Sequence, residues 1–277
     1  MYLQTIPFDP EVIPFVYFII ITAIIVTFLY LRLLYRYRKR EKPLIRALMF
    51  NTLSWAVGTW AYSIGLISWY YIDDRTWLYD ISIPIGYISI LISTYFVLKL
   101  ATNLLDYDKK KKNLVLNGYK IYMLIMIVLF SLPQNNWGIL PPIPTFRMVN
   151  LVLLILGNII VYSVLIKLFR DLRGRVNDAF QKKKLFYVLV FFELMLATFL
   201  LMVGNEIFLM FLSDPPPYGI LEYLAWTCGI LGLIVGYLAL ILPDRFKYWI
   251  KKREKQKQEE REIELKTKNL KAQIDQL

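Results

Sequence analysis

VIPFVYFIIITAIIVTFLYLRLLYRYRKREK, Val12–Lys42, decides the fold class. An apolar run from Val12 to Tyr35 is long enough to cross a bilayer, which takes about 20 residues as a helix. A dense basic cluster follows it at once: Arg36, Arg38, Lys39, Arg40 and Lys42, flanked by Arg32 and Arg46. Lys and Arg collect on the cytoplasmic side of membrane helices, so the order predicts an outside N-terminus. Asp9 and Glu11 precede the run where a signal peptide would carry basic residues. The segment therefore reads as a retained helix rather than a cleaved leader.

Six further apolar blocks repeat the pattern, at Ala47–Tyr70, Ile81–Ala101, Ile121–Leu132, Val149–Phe169, Leu185–Leu212 and Ile220–Leu242. The fourth is short unless Gly118–Lys120 and the run past Pro133 contribute. Charge alternates between the blocks. Lys109–Lys112 with Lys120 mark the second basic side, and Arg170, Arg173, Arg175 and Lys182–Lys184 the third. Arg245, Lys247, Lys251, Lys252 and Arg253 follow the last block. The opposite side is nearly free of base: Arg75 and Arg147 stand out there, beside Asp73, Asp74, Asp80, Asp214 and Glu222. An even number of helices would break this alternation, which supports the short fourth one. The expected fold is an all-α, seven-transmembrane helix bundle over 1–243, N-terminus outside in the cell membrane. A cytoplasmic helical or coiled-coil tail is expected over 244–277.

Composition agrees with that class. Of 277 residues, 57% are apolar and 19% charged, leaving too little polar sequence to coat a soluble surface. The 33 Lys and Arg against 21 Asp and Glu give +12, placed where anionic headgroups would lie, so no nucleic acid is needed to explain it. There is no histidine and one cysteine, Cys228. This excludes histidine acid–base chemistry, the usual zinc ligand sets, phosphohistidine transfer and an intrachain disulfide. No cofactor or metal is expected. Between Ile220 and Leu242 there is no lysine for a retinal Schiff base.

Polar and aromatic residues inside the blocks are the candidate functional groups. Charged or amide side chains in hydrocarbon are costly and usually face the bundle or a wet cavity. Glu193, Asn51 and Asn158 are candidates for signal coupling. Glu206, beside Asn205, and Glu222 flank one outer turn stiffened by Pro215–Pro217. Trp55, Tyr62 and Trp69 recur every seven residues and share a face, which suits either helix packing or a cavity for an apolar ligand. An outer pocket bordered by helices two, three, six and seven is expected, with Trp60, Trp69, Asn205, Glu206 and Trp226 as lining candidates. The loop Pro133–Arg147 carries Pro133, Pro141, Pro142 and Pro144, which stop helix. Gly232 and Gly236, four apart, permit close helix approach, either within the chain or between copies.

After Pro243 the tail has no glycine and no further proline. Ile263, Leu270 and Leu277 are spaced by seven, and Thr267 and Ile274 fill the intervening heptad positions. These residues predict a parallel homodimer seam, loosened near the membrane by Arg253 and Glu260.

Short loops, an outside N-terminus, the Gly204–Asn205 pair late in helix six, and Pro243 followed by Arg245, Phe246 and Trp249 carry a resemblance. The chain resembles the N-terminal seven-transmembrane sensor region of bacterial and archaeal histidine kinases and related signalling proteins. The resemblance implies a membrane receptor that passes a signal through a paired helix to a cytoplasmic output domain or partner; the leading reading is a non-enzymatic sensor or signal-transducing module for an unknown small ligand. With no histidine and no nucleotide-binding glycine motif, this chain is not a complete kinase of that type. The alternative reading is a small membrane transporter or channel. Inverted repeats would favour it, and Pro84 with Gly86 in helix three is the one suggestive break.

Overall fold

A computed structural model describes residues 10–72, 77–105, 108–131, 144–210 and 219–241, with Gln256 and Glu259. The five seam positions from Ile263 to Leu277, the 133–143 part of the proline-rich loop and the Pro215–Pro217 turn lie outside the described residues. A short 3-10 turn, Pro10–Val12, leads into seven helices: α1 Ile13–Arg40, α2 Pro43–Ile72, α3 Trp77–Leu104, α4 Lys109–Ser131, α5 Pro144–Arg175, α6 Ala179–Met210 and α7 Ile220–Ile241. Consecutive helices pack side by side, and α7 closes the ring against α1. Across the ring, α2 also touches α7 and α3 touches α5.

Six of the seven, all except α2, are long and apolar enough to span a membrane. Helix α4 is among them because it starts at Lys109, well before Ile121, and so takes in Gly118–Lys120. Helix α2 is 30 residues long without an acidic residue, but its Ser, Thr, Trp and Tyr side chains lower its hydropathy. Its length still exceeds the need of a spanning helix.

Prolines sit where their missing N–H costs little. Pro43 and Pro144 are the first residues of α2 and α5, so Pro144 opens a helix instead of stopping one. Pro84 lies inside α3, which stays helical across it; neighbouring helices make such a site tolerable in a membrane bundle. The α1–α2 turn is tight because Glu41 adopts left-handed geometry (φ 38°) and its N–H donates to the Tyr37 carbonyl at 2.8 Å.

The main core runs through Phe15, Trp55, Leu66, Tyr162, Phe192, Met195, Phe199 and Trp226. A second cluster joins Leu33, Ile45, Leu48 and Leu100 near the α1–α2 turn, and a third joins Leu91, Met126, Phe130 and Leu154 between α3, α4 and α5. Between hydrocarbon-facing helices there is little hydrophobic drive, so close fit carries the packing. Gly229 is one such fit: a Cβ there would stand 2.8 Å from the Trp55 ring. Gly232 and Gly236 lie against Met195 and Phe191 of α6, so this small-residue pair packs α7 onto α6 within one chain.

Candidate functional site

Helix α3 places Ser93 and Thr94 next to each other in an otherwise apolar run, and the two hydroxyls point to different neighbours. Ser93 Oγ donates to Asn51 Oδ1 of α2 at 2.6 Å. Thr94 Oγ1 donates to Asn158 Oδ1 of α5 at 2.6 Å, with its own Ile90 carbonyl at 3.1 Å as a second acceptor. Asn158 then uses its amide group to donate to the Leu154 carbonyl at 2.7 Å. All four side chains are buried. Helix α4 joins the same layer: Tyr119 donates to the Leu91 carbonyl of α3 at 3.2 Å, and Tyr122 to the Leu153 carbonyl of α5 at 3.0 Å. Four helices are thus tied at one level by hydrogen bonds, where water is scarce and an unmade bond is expensive.

Some polar atoms of the bundle have no partner. Asn51 Nδ2, Trp55 Nε1, Trp226 Nε1 and Asn205 Oδ1 are buried with no hydrogen-bond partner among the described residues. Buried polar atoms are rarely left without a partner, and each of these is open to one: a donor for Asn205 Oδ1, an acceptor for the N–H groups. Tyr162 is fully buried, beside Thr94 and between Phe192 and Phe199.

An aromatic cluster lies between α1, α2 and α7. Trp226 meets Trp55 edge-on at 5.9 Å and stacks on Tyr62 at 6.1 Å. Phe15 joins through Tyr62 at 6.1 Å and Tyr223 at 5.2 Å. These are ordinary separations for aromatic pairs, so Trp55, Tyr62 and Trp226 meet by packing.

Trp60 faces elsewhere. It is five residues beyond Trp55, about 140° round the helix, and its Nε1 donates to Thr27 Oγ1 of α1 at 2.9 Å. It lines an open, almost wholly apolar groove of about 530 Å³ between α1, α2 and α3, with Tyr30, Ile64, Ile81 and Ile85. The structure therefore separates Trp60 from Trp226. Trp69 is buried in the main core. Asn205 is buried against Gly219 at the start of α7. The Glu206 side chain lies outside the described residues.

Of the coupling candidates, Asn51 and Asn158 meet on neighbouring residues of α3, whereas Glu193 does not join them. Glu193 is on the outer face of α6 and pairs with Arg170 of α5 at 3.5 Å, both half-exposed or more. Ser93, Thr94, Tyr119 and Tyr162 are not among the candidates that the sequence suggests. The available signal was the Ser93–Thr94 pair, since adjacent residues on a helix face different neighbours.

Among the described residues, no group of three His, Cys, Asp or Glu side chains could hold a metal ion. Cys228 is a free thiol on α7. Together with the absence of histidine, this describes a helical multi-span membrane protein without metal-site or catalytic motifs among the described residues. Compared with protein families, curated proteins and solved structures, the chain matches none.

Proposed function

We propose that this chain is a non-enzymatic membrane sensor or signal-transducing module, in which rearrangement of the bundle is passed to the segment after α7. The observation that carries this reading is the hydrogen-bonded layer of Asn51, Ser93, Thr94 and Asn158. It links α2 to α5 through α3, and the Asn51 amide N–H within it has no partner among the described residues. Such a layer has alternative partners available, which a two-position switch needs. Seven crossings, an outside N-terminus and a cytoplasmic tail remain the topology that the alternating basic loops support. Signalling through a tail dimer with Ile263, Thr267, Leu270, Ile274 and Leu277 at the seam, as in the sensor regions the sequence resembles, is part of the same proposal.

The test joins the two ends of the molecule. With Cys228 replaced by serine, a cysteine introduced at Leu270 is expected to crosslink between copies in native membranes. Thr94→Val or Asn158→Leu should change that crosslinking rate about fivefold or more, the lower range of allosteric coupling. Unchanged crosslinking in both variants, alongside an unchanged Gly118→Leu control, refutes coupling from the layer to the tail. The transporter or channel reading draws on Pro84 inside α3, and solute flux in proteoliposomes would favour it.

A further inference from the structure

The start of α2 and the first half of α4 both flank the last turns of α3, and four cations from these three helices lie in that region. Lys99 of α3 lies within electrostatic reach of Arg46 of α2 and of Lys112 and Lys120 of α4. A strip of aromatic rings connects them. The Arg46 guanidinium sits 5.9 Å from the Phe50 ring, which stacks on Phe96 at 5.0 Å and 17°. Phe96 meets Tyr95 at 5.4 Å, and the Lys120 ammonium sits 5.8 Å from the Tyr95 ring. Lys112 donates to Asn103. Among the described residues no carboxylate pairs with any of the four. Asp108 accepts from the Lys111 backbone N–H at 2.7 Å, capping α4, and its other oxygen pairs with Lys111 at 3.9 Å.

Lone lysines at helix ends snorkel to the interface and need no ligand. Three further cations within reach of Lys99 are different, because their repulsion of its charge calls for an anion. We propose that this corner binds the phosphodiester headgroup of an anionic phospholipid, held by Arg46, Lys99, Lys112 and Lys120. Lipid is favoured over a soluble anion by depth and surroundings. Lys120 is eleven residues into α4, about 16 Å along its axis. The α4 surface beyond it is apolar and exposed at Ile121, Leu124, Ile125 and Val128, a path for acyl chains. Basic pockets between membrane helices hold anionic headgroups by the same physics.

The full chain in nanodiscs of phosphatidylcholine, with and without phosphatidylglycerol, tests this site by native mass spectrometry of the lipid retained. Wild type should retain phosphatidylglycerol, and Lys99→Gln with Lys120→Gln should lower its affinity about thirtyfold, at ~1 kcal/mol per lysine. Lys120→Gln alone, at an exposed position that does not threaten folding, should lower it about fivefold. Lys182→Gln with Lys183→Gln should leave retention near wild type. Equal retention by Lys120→Gln, or an equal loss in the Lys182/Lys183 variant, overturns the site. Inorganic phosphate that displaces the lipid at matching concentration also overturns it, since the corner would then be a site for a free anion.

Discussion

Helices α2 and α4 have almost opposite relations to their surroundings. Between Ala47 and Trp69 of α2 only Val57, Trp60 and Ile64 are exposed, in one narrow stripe. In α4 only Leu116, Tyr119, Met126 and Phe130 are buried, and the rest of the helix is exposed or half-exposed. Yet α4 meets the hydropathy expected of a spanning helix and α2 does not. A long helix can thus carry modest hydropathy when protein rather than lipid covers it. A helix enclosed by α1, α3 and α7 can carry hydroxyls, because each finds a carbonyl one turn back. Thr52 donates to Leu48, Ser54 to Phe50, Thr59 to Trp55 and Ser63 to Thr59, at 2.8–2.9 Å.

The sharpest way to break this contrast is to add the same bulk against the enclosed α2 and on the open face of α4. Gly229 of α7 faces the Trp55 ring of α2, where a Cβ already collides, whereas a Cβ at Gly118 of α4 meets nothing within 4 Å. Gly229→Leu is expected to cost about 3 kcal/mol or to prevent folding, as overpacked interiors do. Gly118→Leu should be neutral or slightly stabilising, since glycine disfavours helix by about 1 kcal/mol. Thermal unfolding in mild detergent measures both. Comparable losses at the two sites would show that α4 is packed as tightly as α2.

A smaller effect separates the polar layer from the apolar flank. Thr94→Val removes the hydroxyl that donates to Asn158, and Asn158→Leu removes the acceptor. Each should lower stability by about 1 kcal/mol, with a coupling near ~0.6 kcal/mol in the double variant. Denaturant titration of the four proteins gives the coupling. A coupling of zero would mean that the two side chains satisfy themselves along their own helices and that the layer ties nothing together.

How much of this was legible in the sequence follows from which forces are local. Apolar blocks and basic loops are written along the chain, so the seven helices and their order could be read before any packing was known. Asn51 and Asn158 were legible because an amide in hydrocarbon needs a partner. Their partners were not, since Ser93 and Thr94 resemble the many hydroxyls that bond their own helix. Depth alone groups Trp60 with Trp226; facing is decided by the 100° step per residue, which places Trp60 and Trp55 on different sides of α2. The fourth block reads as short because Lys109–Lys112 and Lys120 hide helix within a charged stretch, where long side chains carry their charge away from the apolar core.

The smallest expected effect concerns a buried hydroxyl of α5 beside the polar layer. Tyr162 is fully buried with its hydroxyl beside Thr94, whose own hydroxyl donates to Asn158. Its ring does the packing, stacked on Phe199 at 5.7 Å and tilted to Phe192 at 6.4 Å. A buried hydroxyl carries a desolvation cost of about 1–3 kcal/mol, which a hydrogen bond offsets. Tyr162→Phe keeps the ring and removes cost and bond together, so stability should stay nearly level, in contrast to the loss expected at Thr94. If the hydroxyl serves the layer in a second arrangement of the bundle, the same variant should alter tail crosslinking at Leu270 while leaving the unfolding midpoint unchanged. A clear loss of stability in Tyr162→Phe would show instead that its bond outweighs that cost, and that the layer reaches further into the bundle than Asn158.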